Sequence, residues 1–141
     1  MYEYTRSVYY YETDKMGVVH HSNFVRWMEE ARTFCFNNIG LAYVETERLG
    51  LMAPMTDIRL KYKRPARYGD TFTVRLRVTE YTGVRYRIAY TILNQEGDIL
   101  VEAESGQAFV GSDYKPVSLA HAAPERHELM KKILQEGMGT P

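Results

Sequence analysis

Two hydrophobic periods divide this chain. Between Asn23 and Ile39 the apolar residues Phe24, Trp27, Met28, Ala31, Phe34, Cys35 and Ile39 recur every three or four positions. Arg26, Glu29, Glu30, Thr33 and Asn37 fall mostly on the other side. That spacing predicts a helix with a wide, deeply packed face. Ser22 or Asn23 is the candidate N-cap and Gly40 the stop. From Ile58 onward the period becomes two. Ile58, Leu60 and Tyr62 alternate with Arg59, Lys61 and Lys63, and Phe72, Val74, Leu76 and Val78 alternate with Thr73, Arg75, Arg77 and Thr79. Val84, Tyr86, Ile88, Tyr90 and Ile92 alternate with Arg85, Arg87, Ala89 and Thr91. Each run predicts a strand with one buried and one wetter face. Thr82-Gly83 and Asn94 to Asp98 read as hairpin turns. A last strand, about Ile99 to Val110, lacks clean alternation, as a strand covered on both sides does.

The ends complete the outline. Tyr2 to Tyr10, rich in aromatic residues and free of Gly and Pro, reads as a first strand, and Leu41 to Gly50 as a short helical turn. Pro124 opens a final helix, about 124–136, with a narrow stripe of Leu129, Met130, Ile133 and Leu134; Gly137 ends it and the tail frays. One long helix beside consecutive strands predicts an α+β fold with a mostly antiparallel sheet, a single domain over residues 1–141.

Charge and cysteine content narrow the function classes. Eighteen basic and eighteen acidic residues cancel, which gives no case for nucleic acid as a partner. One cysteine cannot make an internal disulfide. The start of the chain is polar and Tyr-rich, and no apolar run is long enough to cross a bilayer. The expectation is a cytoplasmic protein without a membrane partner.

Candidate chemistry sits in Thr13 to Phe24, the run into the long helix. Asp14 precedes Gly17, Val18, Val19, His20 and His21, and a helix start follows. Such a start offers unpaired N–H groups and the positive end of the helix dipole, fit to bind an oxygen that becomes anionic during acyl transfer. The competing reading is a plain turn built on Asp14 and Gly17. His20-His21 with Glu29 and Glu30 makes a poor metal site, since adjacent histidines rarely point the same way and no His-x-x-x-His pair exists. No metal is expected. Ser22 lacks a Gly-x-Ser-x-Gly elbow and has a simpler task as a cap. Cys35, on the apolar helix face, is rejected as a nucleophile. The cations Arg59, Lys61, Lys63, Arg64, Arg67, Arg75, Arg77, Arg85 and Arg87 read either as phosphate contacts or as a solvated sheet face balanced by Glu102 and Glu104.

The stretch Tyr11-Glu12-Thr13-Asp14-Lys15-Met16-Gly17-Val18-Val19-His20-His21-Ser22-Asn23-Phe24, with Glu29-Glu30-Ala31-Arg32 and Tyr62 to Asp70, resembles the hot-dog-fold acyl-CoA thioesterases of the 4-hydroxybenzoyl-CoA thioesterase-like group. The resemblance implies a curved antiparallel sheet wrapped around one long helix, and a homodimer or homotetramer with its active site between subunits. It implies hydrolysis of an acyl-CoA with no cofactor beyond the CoA of the substrate. Asp14 matches the catalytic carboxylate, as nucleophile or general base. His21 matches the position whose backbone N–H polarises the thioester carbonyl. Gly17, Val18, Val19, His20, Asn23 and Arg64 are the implied substrate contacts. Glu12 and Phe24 stand where many relatives carry Asp and Tyr, and Lys15-Met16 is bulkier than usual, departures that touch the pocket wall. An acyl carrier protein thioester, or a non-catalytic acyl-CoA-binding role, is the alternative.

Overall fold

The computed structural model describes residues 2–138. Among these, five strands form one antiparallel sheet: β1 (Tyr2–Ser7), β2 (Met55–Tyr62), β3 (Thr71–Tyr81), β4 (Arg85–Leu93) and β5 (Ile99–Ala108), in the order β1-β3-β4-β5-β2. Four helices accompany it: α1 (Ser22–Asn38), α2 (Tyr43–Arg48), α3 (Leu119–Ala122) and α4 (Pro124–Met138).

The two periodicities meet in one core. Trp27, Met28 and Ala31 of α1 are fully buried, as are Phe72 and Val74 of β3 and Ile88 and Ile92 of β4. Trp27 stacks on Phe72 with ring centroids 3.7 Å apart. Side chains of this size each contribute roughly 2–3 kcal/mol when buried, so the shared face of helix and sheet is the main source of stability. The sheet wraps α1, as the hot-dog expectation required. Gly40, at φ +86°, ends α1, and Leu41 N–H reaches back to Phe36 O at 2.9 Å. A left-handed residue closes a helix this way, and glycine adopts it without a Cβ penalty.

Several boundaries differ from the sequence reading. The first strand stops at Ser7, and Tyr10–Glu12 turns into a 3₁₀ helix because the Glu12 carboxylate captures Tyr9 N–H at 2.8 Å. Phe34, assigned to the packed face of α1, is 47% exposed and lies against Tyr4 on the outer side. The strand expected to have one buried face, β2, is exposed along nearly its whole length, because it is the last strand of the sheet and no other element covers it among the described residues. By contrast β5 lies inside the sheet, between β4 and β2, with Ser105 to Val110 continuously buried, which accounts for its poor alternation. At the other end Gly137 lies within α4 and does not stop it. The expected fraying of the final residues falls on 139–141, outside the described residues.

Gly106 of β5 lets β2 attach. A Cβ there would run into Asp57 Oδ1 and Arg87 Nη1, members of a two-pronged Arg87–Asp57 ion pair (both contacts 2.9 Å) that crosses over the glycine from β4 to β2, and into Thr56 Oγ1, which donates to Asp57. Gly106→Ala is expected to break this pair and loosen the outer strand. The check is amide hydrogen exchange, faster across residues 55–58 than in the unaltered protein and unchanged in β3.

Candidate active site

Asp14 opens a tight hairpin. Its N–H donates to Val18 O at 2.8 Å, Gly17 N–H returns to Asp14 O at 3.0 Å, and Gly17 takes φ +78°. A three-residue loop of this kind needs a left-handed third residue. Asp14 Oδ1 accepts from Met16 N–H at 2.8 Å and Val18 N–H at 3.4 Å, and the residue is exposed. The turn reading of Asp14 and Gly17 is therefore realised in full, while the carboxylate stays open to solvent. Loop 94–98 repeats the geometry with an amide in place of the acid. Asn94 N–H donates to Asp98 O at 3.0 Å, Gly97 N–H to Asn94 O at 3.1 Å, and Asn94 Oδ1 accepts from the amides of Glu96 and Asp98.

The hairpin runs directly into α1. Thr13 bridges Val19, and His20 N–H donates to Glu12 O at 2.9 Å. On its far side Val18 bridges Arg67 and Val19 N–H donates to Ala66 O at 2.7 Å. Ser22 N–H donates to His20 Nδ1, Asn23 N–H to His20 O and Phe24 N–H to His21 O. Of the donors expected from Val19 to His21, two are thus held by the chain. The third of them, the His21 amide at the N-cap, has no acceptor among the described residues.

The remaining candidates divide by role. The His20 ring caps α1, accepting from Ser22 N–H with Ser22 Oγ 2.8 Å away, so neither Ser22 nor Asn23 is the N-cap. It also stacks on His21 at 4.2 Å, contrary to the expectation that the two rings diverge. Asn23 is 5% exposed; its Nδ2 donates to Glu12 O and its Oδ1 accepts from Arg26. Arg64 is exposed, with its guanidinium 3.6 Å from Asp98. Cys35 is buried, which pushes its thiol up to about 11, and it donates weakly to Glu3 O. At neutral pH it stays a thiol, the inert form.

Two features escaped the sequence reading. Tyr62, at the end of β2, donates to His21 O at 3.5 Å and lays its ring against His21 and Phe24, walling the helix tip. Glu12 is 3% exposed and accepts from Arg6 Nη1 and Nη2, Tyr9 N–H and Trp27 Nε1, all within 2.7–3.0 Å. Arg6 also binds Glu30 and lies over the Tyr9 ring. A signal existed: Arg6 shares a period-two face with Tyr2 and Tyr4, and an inward arginine requires a carboxylate partner. This buried cluster holds the hairpin onto β1 and α1 at once. A groove of ≈ 600 Å³ starts there, at Glu12 and Asn23, and follows the outer side of α1 to Asn37.

Comparison with known proteins agrees with this architecture. Residues 8–132 match the Thioesterase-like superfamily. The chain is 35% identical, over 89% of its length and 91% of the relative's, to a Bacillus subtilis protein named "Putative acyl-CoA thioesterase YneP". It is 30% identical to the acyl-CoA thioester hydrolase YbgC of Escherichia coli, covering 69% of this chain and 72% of that one. Among solved structures, a DHNA-CoA thioesterase from Staphylococcus aureus superposes with a TM-score of 0.92 at 29% identity, covering 99% of this chain and 95% of that one. With the family match spanning most of the chain and a wrapped helix at its centre, this protein belongs to the thioesterase-like superfamily and is a hot-dog-fold thioesterase.

Proposed function

We propose that the protein hydrolyses acyl-CoA thioesters, with Asp14 as the reacting carboxylate and the His21 N–H as the donor to the thioester oxygen. One observation carries the reading: an exposed carboxylate sits in the hairpin that runs into α1, and the amide at the start of that helix has no acceptor among the described residues. Attack on the carbonyl carbon moves negative charge onto its oxygen. A fixed N–H aimed there is worth on the order of 3 kcal/mol in the barrier. In one route an Asp14 oxygen bonds to carbon, the C–S bond breaks, CoA thiolate leaves, and water hydrolyses the resulting anhydride. In the other, Asp14 takes a proton from water as the water attacks. Thiolate leaves readily in both, so no strong acid is needed, and no metal or cofactor enters either route.

The same reading places the working site between copies of the chain, in a homodimer or homotetramer. The open edge of β2 supports it, since an outer strand with unpaired backbone groups is a template for a second strand. Arg64 and Arg67, together with Asp70, Glu96 and Asp98, line a depression of ≈ 420 Å³ beside the hairpin, and the two guanidiniums are the candidate contacts for CoA phosphates.

The test is thiol release from short-chain, long-chain and aromatic acyl-CoAs, with an acyl carrier protein thioester as a separate arm. Release from at least one CoA ester, inhibited by free CoA, is the expected result. Tight CoA binding with no release from any ester would instead make this a binding module. Release from the carrier protein thioester alone would move the substrate to that class.

A further inference from the structure

Arg32 is a charged side chain that the hairpin chemistry leaves unexplained. It projects from α1 and is only 8% exposed, yet among the described residues no carboxylate lies within 4 Å of it. Its Nε donates to Tyr43 Oη at 2.8 Å and its Nη1 to Tyr90 Oη at 3.0 Å, and Tyr90 Oη is in turn 2.8 Å from Ser105 Oγ. Two phenols thereby fix the plane of the guanidinium. Its Nη2 has no acceptor among the described residues, and it is not one of the polar atoms sealed from solvent. The residue borders a cavity of ≈ 450 Å³ between α1, α2 and the segment 51–54. Leu51, Met52, Ala53 and Pro54 give this cavity an apolar wall, and Glu29 and Glu47 line it as well.

We propose that this cavity receives the far end of the substrate's acyl group, and that Arg32 Nη2 donates there to an uncharged oxygen such as a hydroxyl or keto group. The substrate part of this proposal rests on the thioesterase reading above. A plain alkyl end would drive water from Nη2 and leave a charged donor unmatched, which is costly. A carboxylate end would meet Arg32 but also two carboxylates, so one positive charge would face three negative ones. A neutral oxygen satisfies the donor without that repulsion, and a hydroxyl can return a proton to Glu29 or Glu47. The apolar wall covers the carbon skeleton. Because Tyr43 and Tyr90 hold the guanidinium, little ordering is left for binding to impose.

The experiment compares matched acyl-CoAs of increasing length, each as the plain, ω-hydroxy and ω-carboxy form. At the preferred length the hydroxy form is expected to exceed both others in kcat/KM by tenfold or more. Arg32→Gln is expected to bring the hydroxy-to-plain ratio toward one. A ratio near one in the unaltered protein, or a preference for the carboxy form, overturns the proposal. A second arm needs neither turnover nor a variant: titration of the uncharged methyl ester of the ω-hydroxy acid, followed by NMR of the Arg32 side-chain N–H signals. Saturable shifts there support the site even if no ester is hydrolysed. Unmoved signals at saturating ligand overturn it whatever the activity.

Discussion

Asp14→Asn is expected to lower kcat/KM by about 10³-fold or more, while KM stays within a few-fold and the fold is intact. Asparagine is the right replacement because the protein already carries the control. Asn94 makes in loop 94–98 the same two side-chain contacts to backbone amides that Asp14 makes in its own loop. The turn therefore asks only for a side-chain oxygen acceptor, and the negative charge is surplus to it. Stability should change by no more than about 0.5 kcal/mol, so lost turnover reads as lost chemistry. Steady-state kinetics beside a urea titration check both halves. Normal turnover by the variant would mean that Asp14 is neither nucleophile nor base.

Glu12→Ala is expected to cost about 3 kcal/mol of folding stability, measured by urea unfolding. The carboxylate sits in the core and answers four donors; without it Trp27 Nε1 and Tyr9 N–H lose their acceptor, while Arg6 keeps Glu30. Its pKa gives a second signature. Burial alone would raise it, but the hydrogen bonds from Arg6, Trp27 and Tyr9 outweigh burial and hold it below the ordinary glutamate value. A group with a depressed folded pKa binds its proton more readily when unfolded. Its contribution is therefore present above the unfolded pKa, near 4.3, and fades as pH falls through the lower folded value. The unaltered protein should lose stability on acidification through that window, and Glu12→Ala should flatten this part of the curve. Equal slopes in both proteins would mean that Glu12 is not the acid-sensitive tie.

Local pattern specified a good deal of this molecule. The spacing of Trp27, Met28, Ala31 and Cys35 was enough for α1, because a helix buries one stripe. The alternation of Phe72 to Val78 and of Tyr86 to Ile92 was enough for β3 and β4, because a pleated strand turns successive side chains to opposite faces. Asp14 and Gly17 announced a turn at the mouth of the helix, and Gly40 announced its end.

Pairings between distant residues were not legible in the same way. Whether β2 would be covered depended on its place at the rim of the sheet, which strand order decides and alternation does not record. Glu12 and Arg32 carry ordinary surface chemistry in a linear reading. They lie inside only because Arg6 and Trp27 converge on the first and Tyr43 and Tyr90 on the second, across separations of up to 58 positions. The same holds at the helix tip. Glu12 occupies the His20 amide within the hairpin, but Ala66 occupies that of Val19 only once the loop at 66–67 has docked, and together they leave His21 open. Periodicity determines which face a residue presents to its own element. Which partner waits there is settled by tertiary packing, because each hydrogen bond needs a donor and an acceptor brought together from separate parts of the chain.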